Sequence, residues 1–322
     1  MPAIGQNNGV ITLTRLLLAA GWGLSVAHSA LAPPAPRTPA PAPAGVEAVV
    51  LGIAQDGGVP HLGCRQMLCD RARRDPSAAR RVASLGLVDR AAGRRFVVDA
   101  TPDFAAQVEA LGGIPDGILL THAHIGHYLG LAQLGREVLG AKRLPVYCTP
   151  SMARFLKENG PWKRLVALEN IDIREVTPGR KFELTPSLSA TAIRVPHRDE
   201  DSDTVAYVVS GPRRELLWLP DIDKWEKWDQ SIERLVGERS LLAFVDGTFF
   251  SADEIPGRAI GDIPHPLVGE TVARFGTAPP APARVFFVHL NHTNRLLWDA
   301  RARKDVERKG FGIAEQGSRF PL

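Results

Sequence analysis

The chain has 322 residues, of which 44% are hydrophobic and 23% charged, with a formal net charge of +4. That length and balance suffice for a large buried core and exclude a chain disordered throughout; the small charge excludes a strongly basic nucleic-acid binder. Lysines and arginines are spread along the sequence except for Arg71, Arg73, Arg74, Arg80 and Arg81, a run that reads as a solvated helix face, with a nucleic-acid or anion site as the less favoured alternative.

At the amino terminus Arg15 precedes an apolar run from Leu16 to Ala27, followed by small residues around Ala27-His28-Ser29-Ala30. The run is too short to span a bilayer comfortably and has the form of a secretory signal, with an uncleaved anchor as the competing reading. Residues 1–29 are therefore expected to be a signal peptide, cleaved after Ser29 or Ala30, leaving a periplasmic or secreted protein without a stable membrane span. Residues 30–45 are expected to be a linker, and from Pro33 to Gly45 they are almost entirely proline and alanine, stiff and too poor in large apolar groups to fold. A single domain is expected over residues 46–322.

Val46 to Gly52 reads as an opening strand, and Ala54 to Cys64 as a loop dense in turn residues. Cys64 and Cys69 suit either a small disulfide loop or part of a metal site, while Cys148 reads as a buried strand residue. His61 either faces an active site or makes an ordinary hydrogen bond. A hairpin over Ser84 to Val88 and Arg95 to Val98 ends in Asp99, a helix cap by its position alone. The apolar run Gly117-Ile118-Leu119-Leu120 then delivers Thr121-His122-Ala123-His124-Ile125-Gly126-His127, ahead of a helix-like Tyr128 to Leu134.

Three of the nine histidines fall within these six residues, directly after a buried strand. A loop at the carboxyl end of a strand is rigid yet reachable, and neutral imidazole is a common ligand for zinc and also suits iron. The stretch resembles the His-x-His-x-Asp-His signature of the metallo-β-lactamase fold superfamily, with Gly126 where that signature has aspartate. The resemblance implies that His122 and His124 serve a first metal and His127 a second, and that the second binds more weakly for want of a carboxylate. It also implies that Asp99 buttresses the histidine loop. The opening loop resembles that of the pyrroloquinoline quinone biosynthesis B proteins, a branch of the superfamily, with its cysteine cluster reduced to Cys64 and Cys69.

Further motifs follow at strand ends. A helix is expected over Pro150 to Asn159, then β-like stretches over Ile171 to Val176, Lys181 to Leu184 and Leu188 to Val195. The last of these delivers His197, which takes the place of the superfamily's remaining ligand to the first metal. A strand over Thr204 to Ser210 precedes Glu215 to Leu219, which leads to Asp221, matching the carboxylate that bridges two metals; Asp223 reads as a cap on a helix starting near Lys224. Leu241 to Val245 ends in Asp246, and His265 precedes a helix-like Leu267 to Phe275. This pairing resembles the proton-transferring pair of the transfer-RNA 3′-processing endonucleases of the same superfamily, which makes Asp246 and His265 candidates for general acid catalysis; a helix cap is the alternative. Ala283 to Val288 ends in His289, in the ligand place of the closing motif, with His292 positioned to reach the space left by Gly126.

Periodicity alone gives a mixed α and β single domain; the resemblance implies an α/β architecture, the αββα sandwich, with its site on one edge. It further implies a metal-dependent hydrolase in which His122, His124, His127, His197, Asp221 and His289 hold metal and Asp221, Asp246 and His265 take part in catalysis. The expected cofactor is Zn2+, one ion tight and a second possible, with iron as the alternative. The expected substrate is a small ester, lactam, thioester or phosphodiester rather than a nucleic acid. An iron-dependent oxidoreductase like the quinone-biosynthesis branch, and a binding protein with a degenerate site, are the competing readings.

Overall fold

The computed structural model describes residues 45–255, 263–276, 278–281 and 283–322, so the expected signal peptide and nearly all of the linker lie outside the described residues. Strand β1 (Val46–Gly52) shows how the first layer forms: Ala48 and Val50 face one side and Val49 and Leu51 the other, and all four are buried. Because successive side chains of a strand point to opposite faces, a strand apolar on both must be covered on both. β2 (Ser84–Asp89) pairs antiparallel with β1 and with β3 (Arg94–Val98), and β4 (Gly117–Leu119), β5 (Leu144–Cys148) and β6 (Ile171–Glu175) continue in parallel. The second sheet contains β7 (Lys181–Thr185), β8 (Leu188–Arg194), β9 (Val205–Ser210), β10 (Glu215–Leu219), β11 (Leu242–Asp246), β12 (Arg284–Val288) and β13 (Gly312–Ile313), adjacent in that order. The carboxyl-terminal β14 (Arg319–Pro321) returns to the outer side of β1.

Helices cover both outer faces. α1 (Met67–Arg74) follows the opening loop; α2 (Phe104–Leu111), α3 (Ile125–Tyr128), α4 (Pro150–Glu158) and α5 (Trp162–Ala167) contribute to the apolar cluster on the outside of the first sheet. α6 (Ile232–Glu238), α7 (Val268–Phe275) and α8 (Ala300–Arg308) join the cluster that runs through the second sheet to Leu85, Leu87, Phe96 and Val98 of the first. This is the αββα sandwich of the metallo-β-lactamase fold. No helix among the described residues is long and apolar enough to cross a membrane.

Strand direction places the site. β1 and β3 both oppose β2, so β1, β3 and β4 end at one edge; β8 and β10 both oppose β9, and β10, β11 and β12 are parallel, so these four also end together. The histidine loop is one place where local structure departs from expectation. α3 is a single turn, and Leu129–Leu134 continues as a 3-10 helix rather than an α-helix. The Gly130 N–H is drawn to the Ala100 carbonyl at 2.8 Å, across the loop that carries Asp99, instead of back along its own helix.

Candidate metal centre

Histidines and aspartates from both sheets converge at this edge. His122, His127, His197, Asp221, His265 and His289 are buried and His124 is half-buried. Ligand atoms of His122, His124, His197 and Asp221 all lie within 4.8 Å of one another, as do those of Asp56, His127 and His289. Asp221 joins the two groups. Its Oδ1 is 3.2 Å from His197 Nε2, and its Oδ2 is 3.5 Å from both His122 Nε2 and His127 Nε2 and 3.7 Å from His289 Nε2. Asp56 Oδ1 closes the second group at 3.4 Å from both His127 Nε2 and His289 Nε2.

These edges fit an ion. A four-coordinate metal with bonds of about 2.0–2.1 Å separates its ligands by about 3.3–3.4 Å. The Nε2 atoms of His122, His127, His197 and His289, with Asp56 Oδ1 and Asp221 Oδ1, are fully buried and make no hydrogen bond. At about 1–3 kcal/mol for each unpaired buried group, six would cost on the order of 6–18 kcal/mol, comparable with the whole stability of a domain, about 5–15 kcal/mol. A cation between them would remove that cost.

The hydrogen bonds around the ring fix which nitrogens offer a lone pair. Thr121 Oγ1 donates to Asp99, 3.0 Å away, so it accepts from His122 Nδ1 at 3.0 Å and leaves Nε2 of His122 unprotonated. Thr248 Oγ1 donates to Asp246 Oδ1 at 2.7 Å and accepts from His289 Nδ1 at 2.9 Å, with the same result for His289. His127 donates its Nδ1–H directly to Asp99 at 2.8 Å. His124 Nε2 lies 2.9 Å from Glu200 and 3.2 Å from the Arg198 carbonyl, so Nδ1 is its nitrogen for an ion. Asp99 adopts φ of 68° and His289 φ of 62°, left-handed conformations that ordinary side chains rarely take and that are held here at the site.

Charge differs between the imidazoles: burial opposes charge on His127, but the Asp99, Asp221 and Asp56 carboxylates outweigh it and hold its pKa well above the ordinary value. Burial, reinforced by His127, holds the His122 imidazole well below its ordinary pKa, which favours the neutral form that a metal requires. Burial opposes charge on His265, but the Asp246 and Asp221 carboxylates outweigh it and push its pKa up to about 9. His265 Nδ1 is 2.8 Å from Asp246 and 3.2 Å from Asp221, so both carboxylates address the same ring nitrogen.

Several expectations need correction. Asp223 does not cap the next helical turn, whose capping residue is Lys224 with no side-chain bond; its Oδ1 lies 3.3 Å from His197 Nδ1 and its Oδ2 accepts from Lys227 at 2.7 Å. His292 does not reach the space beside Gly126. Its ring stacks on His61 at 4.2 Å, and its Nδ1 lies 3.9 Å from Cys69 Sγ. Of the two alternatives for Cys64 and Cys69, the structure has free thiols rather than a disulfide, grouped with His292 in another cluster of ligand atoms, while Cys148 is the buried strand residue expected. The residue that sequence reasoning missed is Asp56. Its signal was a carboxylate in a glycine-rich loop directly after β1, in a chain whose histidine motif lacks one.

The edge-on, histidine-rich site between two sheets defines a metal-binding protein of the metallo-β-lactamase fold. Residues 94–290 match the Beta-lactamase superfamily domain, and the chain belongs to that family. It is similar to the coenzyme PQQ synthesis protein B of Methylorubrum extorquens (strain PA1), 27% identical over 305 residues that cover 85% of this chain and 99% of the relative. Among solved structures it shares its fold with Zn(2+)-bound PqqB from Methylobacterium extorquens, at a TM-score of 0.71 and 23% identity, covering 86% of this chain and all of that one. A diphosphatase of the PhnP family has the same fold at a TM-score of 0.60 and 20% identity, covering 86% of this chain and 97% of that one.

Proposed function

We propose that this protein is an exported metal-dependent hydrolase of small esters, lactams, thioesters or phosphodiesters. One observation carries the reading: six buried, unpaired ligand atoms, the Oδ1 of Asp221 and five around it, lie at separations that suit two metal ions. Zinc is the favoured ion, since imidazoles together with carboxylates suit it, and the related PqqB binds it. Bound there, such ions would lower the pKa of a coordinated water and polarise the substrate oxygen. Thr121, Thr248 and Asp99 keep the imidazoles in the ligand tautomer. His265, protonated at neutral pH and oriented by Asp246, donates its Nε2 proton to the leaving group.

A second reading, an iron-dependent oxidoreductase, is favoured by the likeness to the PQQ synthesis proteins along nearly the whole of their length. The reading as a degenerate binding protein rested on Gly126, and Asp56 now supplies a carboxylate beside it. Export rests on the Arg15 to Ala30 pattern alone, and amino-terminal sequencing of soluble protein tests it: a start near Ala30 is expected, and an intact Met1 would overturn it. The activity is tested with chromogenic phosphodiester, lactone, thioester and β-lactam substrates, before and after chelation, with oxygen uptake followed in parallel. Hydrolysis that chelation abolishes and zinc restores is expected; metal-independent turnover, or iron with oxygen uptake in place of hydrolysis, would overturn the proposal.

A further inference from the structure

We infer that Asp56 is a ligand of the second metal position, reaching across from the loop after β1 to take the role left vacant at residue 126, and that Gly126 is glycine to make room for it. This deepens the metal-centre reading and rests on it.

Three observations carry the inference. Asp56 divides its carboxylate: the side chain is 37% exposed overall, yet Oδ1 is fully buried, has no hydrogen-bond partner, and stands 3.4 Å from both His127 Nε2 and His289 Nε2. A surface aspartate would turn both oxygens to water, whereas this one turns an oxygen inward to the point where two ligand nitrogens meet. The distances are those between ligands of one ion, longer than a hydrogen bond and shorter than a chance approach.

Gly126 gives the second. It lies in a helical turn with no left-handed backbone, so conformational freedom does not explain it. Glycine within a helix is disfavoured by roughly 0.5–1 kcal/mol against alanine. Space explains it: a Cβ here would lie 2.1 Å from Asp56 Oδ1, 2.6 Å from its Cγ and 2.9 Å from its Cα. The last is backbone and cannot swing aside. Asp56 and any side chain at 126 are mutually exclusive, which is the relation expected of a ligand moved from one segment to another.

The third is the way the loop is fastened. Leu290 donates its N–H to the Ile53 carbonyl at 2.8 Å, Gln55 donates to the Leu290 carbonyl at 2.9 Å, and the Asn291 side-chain amide donates to that of Gln55. Gly58, at φ of +64°, turns the chain back so that its N–H meets the Gln55 carbonyl at 2.7 Å. Asp56 is thus clamped to the segment that begins with His289, its partner in the second position. It also restores the negative charge that the altered motif lacks, which favours a second dication.

The test is calorimetric titration of zinc into the chelated full-length protein, with cobalt substitution read by its visible spectrum. Wild type is expected to bind two ions per chain. Asp56→Asn, close to isosteric, is expected to keep the first ion and weaken the second by at least about 100-fold, the upper end of what loss of an outer-shell partner costs. Gly126→Ala is expected to do the same by displacing Asp56. The exchange variant D56G/G126D is expected to regain two ions, which separates a ligand role from a merely structural one. Two ions bound by Asp56→Asn with wild-type affinity, or one ion bound by wild type, would overturn the inference and leave the first position standing. No ion bound by wild type would overturn the metal-centre reading with it.

Discussion

Asp99 and Asp246 are counterparts in the two sheets: each buried carboxylate accepts from a threonine hydroxyl, Thr121 or Thr248, and each holds a histidine Nδ1 at 2.8 Å, His127 or His265. Each threonine in turn accepts from a second imidazole, His122 or His289. The two sheets therefore carry the same three-part device, in which a carboxylate and the threonine it accepts from fix the Nδ1–H of the two imidazoles beside them.

Thr121→Val and Thr248→Val should each weaken zinc by about 10–100-fold, because the hydroxyl that holds the Nδ1–H is replaced by a methyl of similar shape. Thr121→Val should act on the His122 side and Thr248→Val on the His289 side. Competition with a coloured chelator measures both affinities, and unchanged values would remove the hydroxyls from the account of the site.

His122→Ala or His197→Ala should abolish the first ion and bring activity to background, since a site losing one imidazole loses both affinity and geometry. His61→Ala should be milder, because His61 stacks on His292 and stands outside the ligand groups of the centre. Metal content by elemental analysis, alongside turnover, checks both; a His122 variant with full metal and full turnover would refute the assignment.

The pH profile should report His265. Its pKa is raised to about 9, so the proton is present below that value and lost above it, and kcat should fall on the alkaline side. Ions on Asp221 offset part of the field that raises it, so the limb should lie at or below pH 9. His265→Gln should lower kcat by about 10²–10⁴-fold and remove the limb. A limb that survives in this variant would belong to another group.

Burial pushes the Cys148 thiol up to about 12, so it stays neutral and unreactive throughout the physiological range. Alkylation of native protein at neutral pH should spare Cys148, and peptide mapping should find it modified only after unfolding. Labelling of Cys148 at the rate of a free thiol would contradict its placement in β5.

Most of the site was legible because its residues end strands. Asp99, His122, His197, Asp221, Asp246 and His289 each follow or close an apolar run, and strand direction alone brings such ends to one edge. What was not legible depended on which loop crosses to which. Asp56 sits in a stretch whose Asp-Gly-Gly composition announces a turn, and nothing local indicates that the turn folds over Gly126. Asp223 matched a helix cap by position, but the nearby His197 drew its carboxylate inward. His292 lies three residues beyond a ligand, and the turn after His289 carries it to His61 and the cysteines instead.

The most direct measurement of the two-ion centre is anomalous diffraction at the zinc edge from crystals of zinc-loaded protein. Two peaks are expected on either side of Asp221, one among His122, His124 and His197 and one among Asp56, His127 and His289. Absence of any peak beside Asp221, or a single ion with Asp56 turned out to solvent, would contradict it.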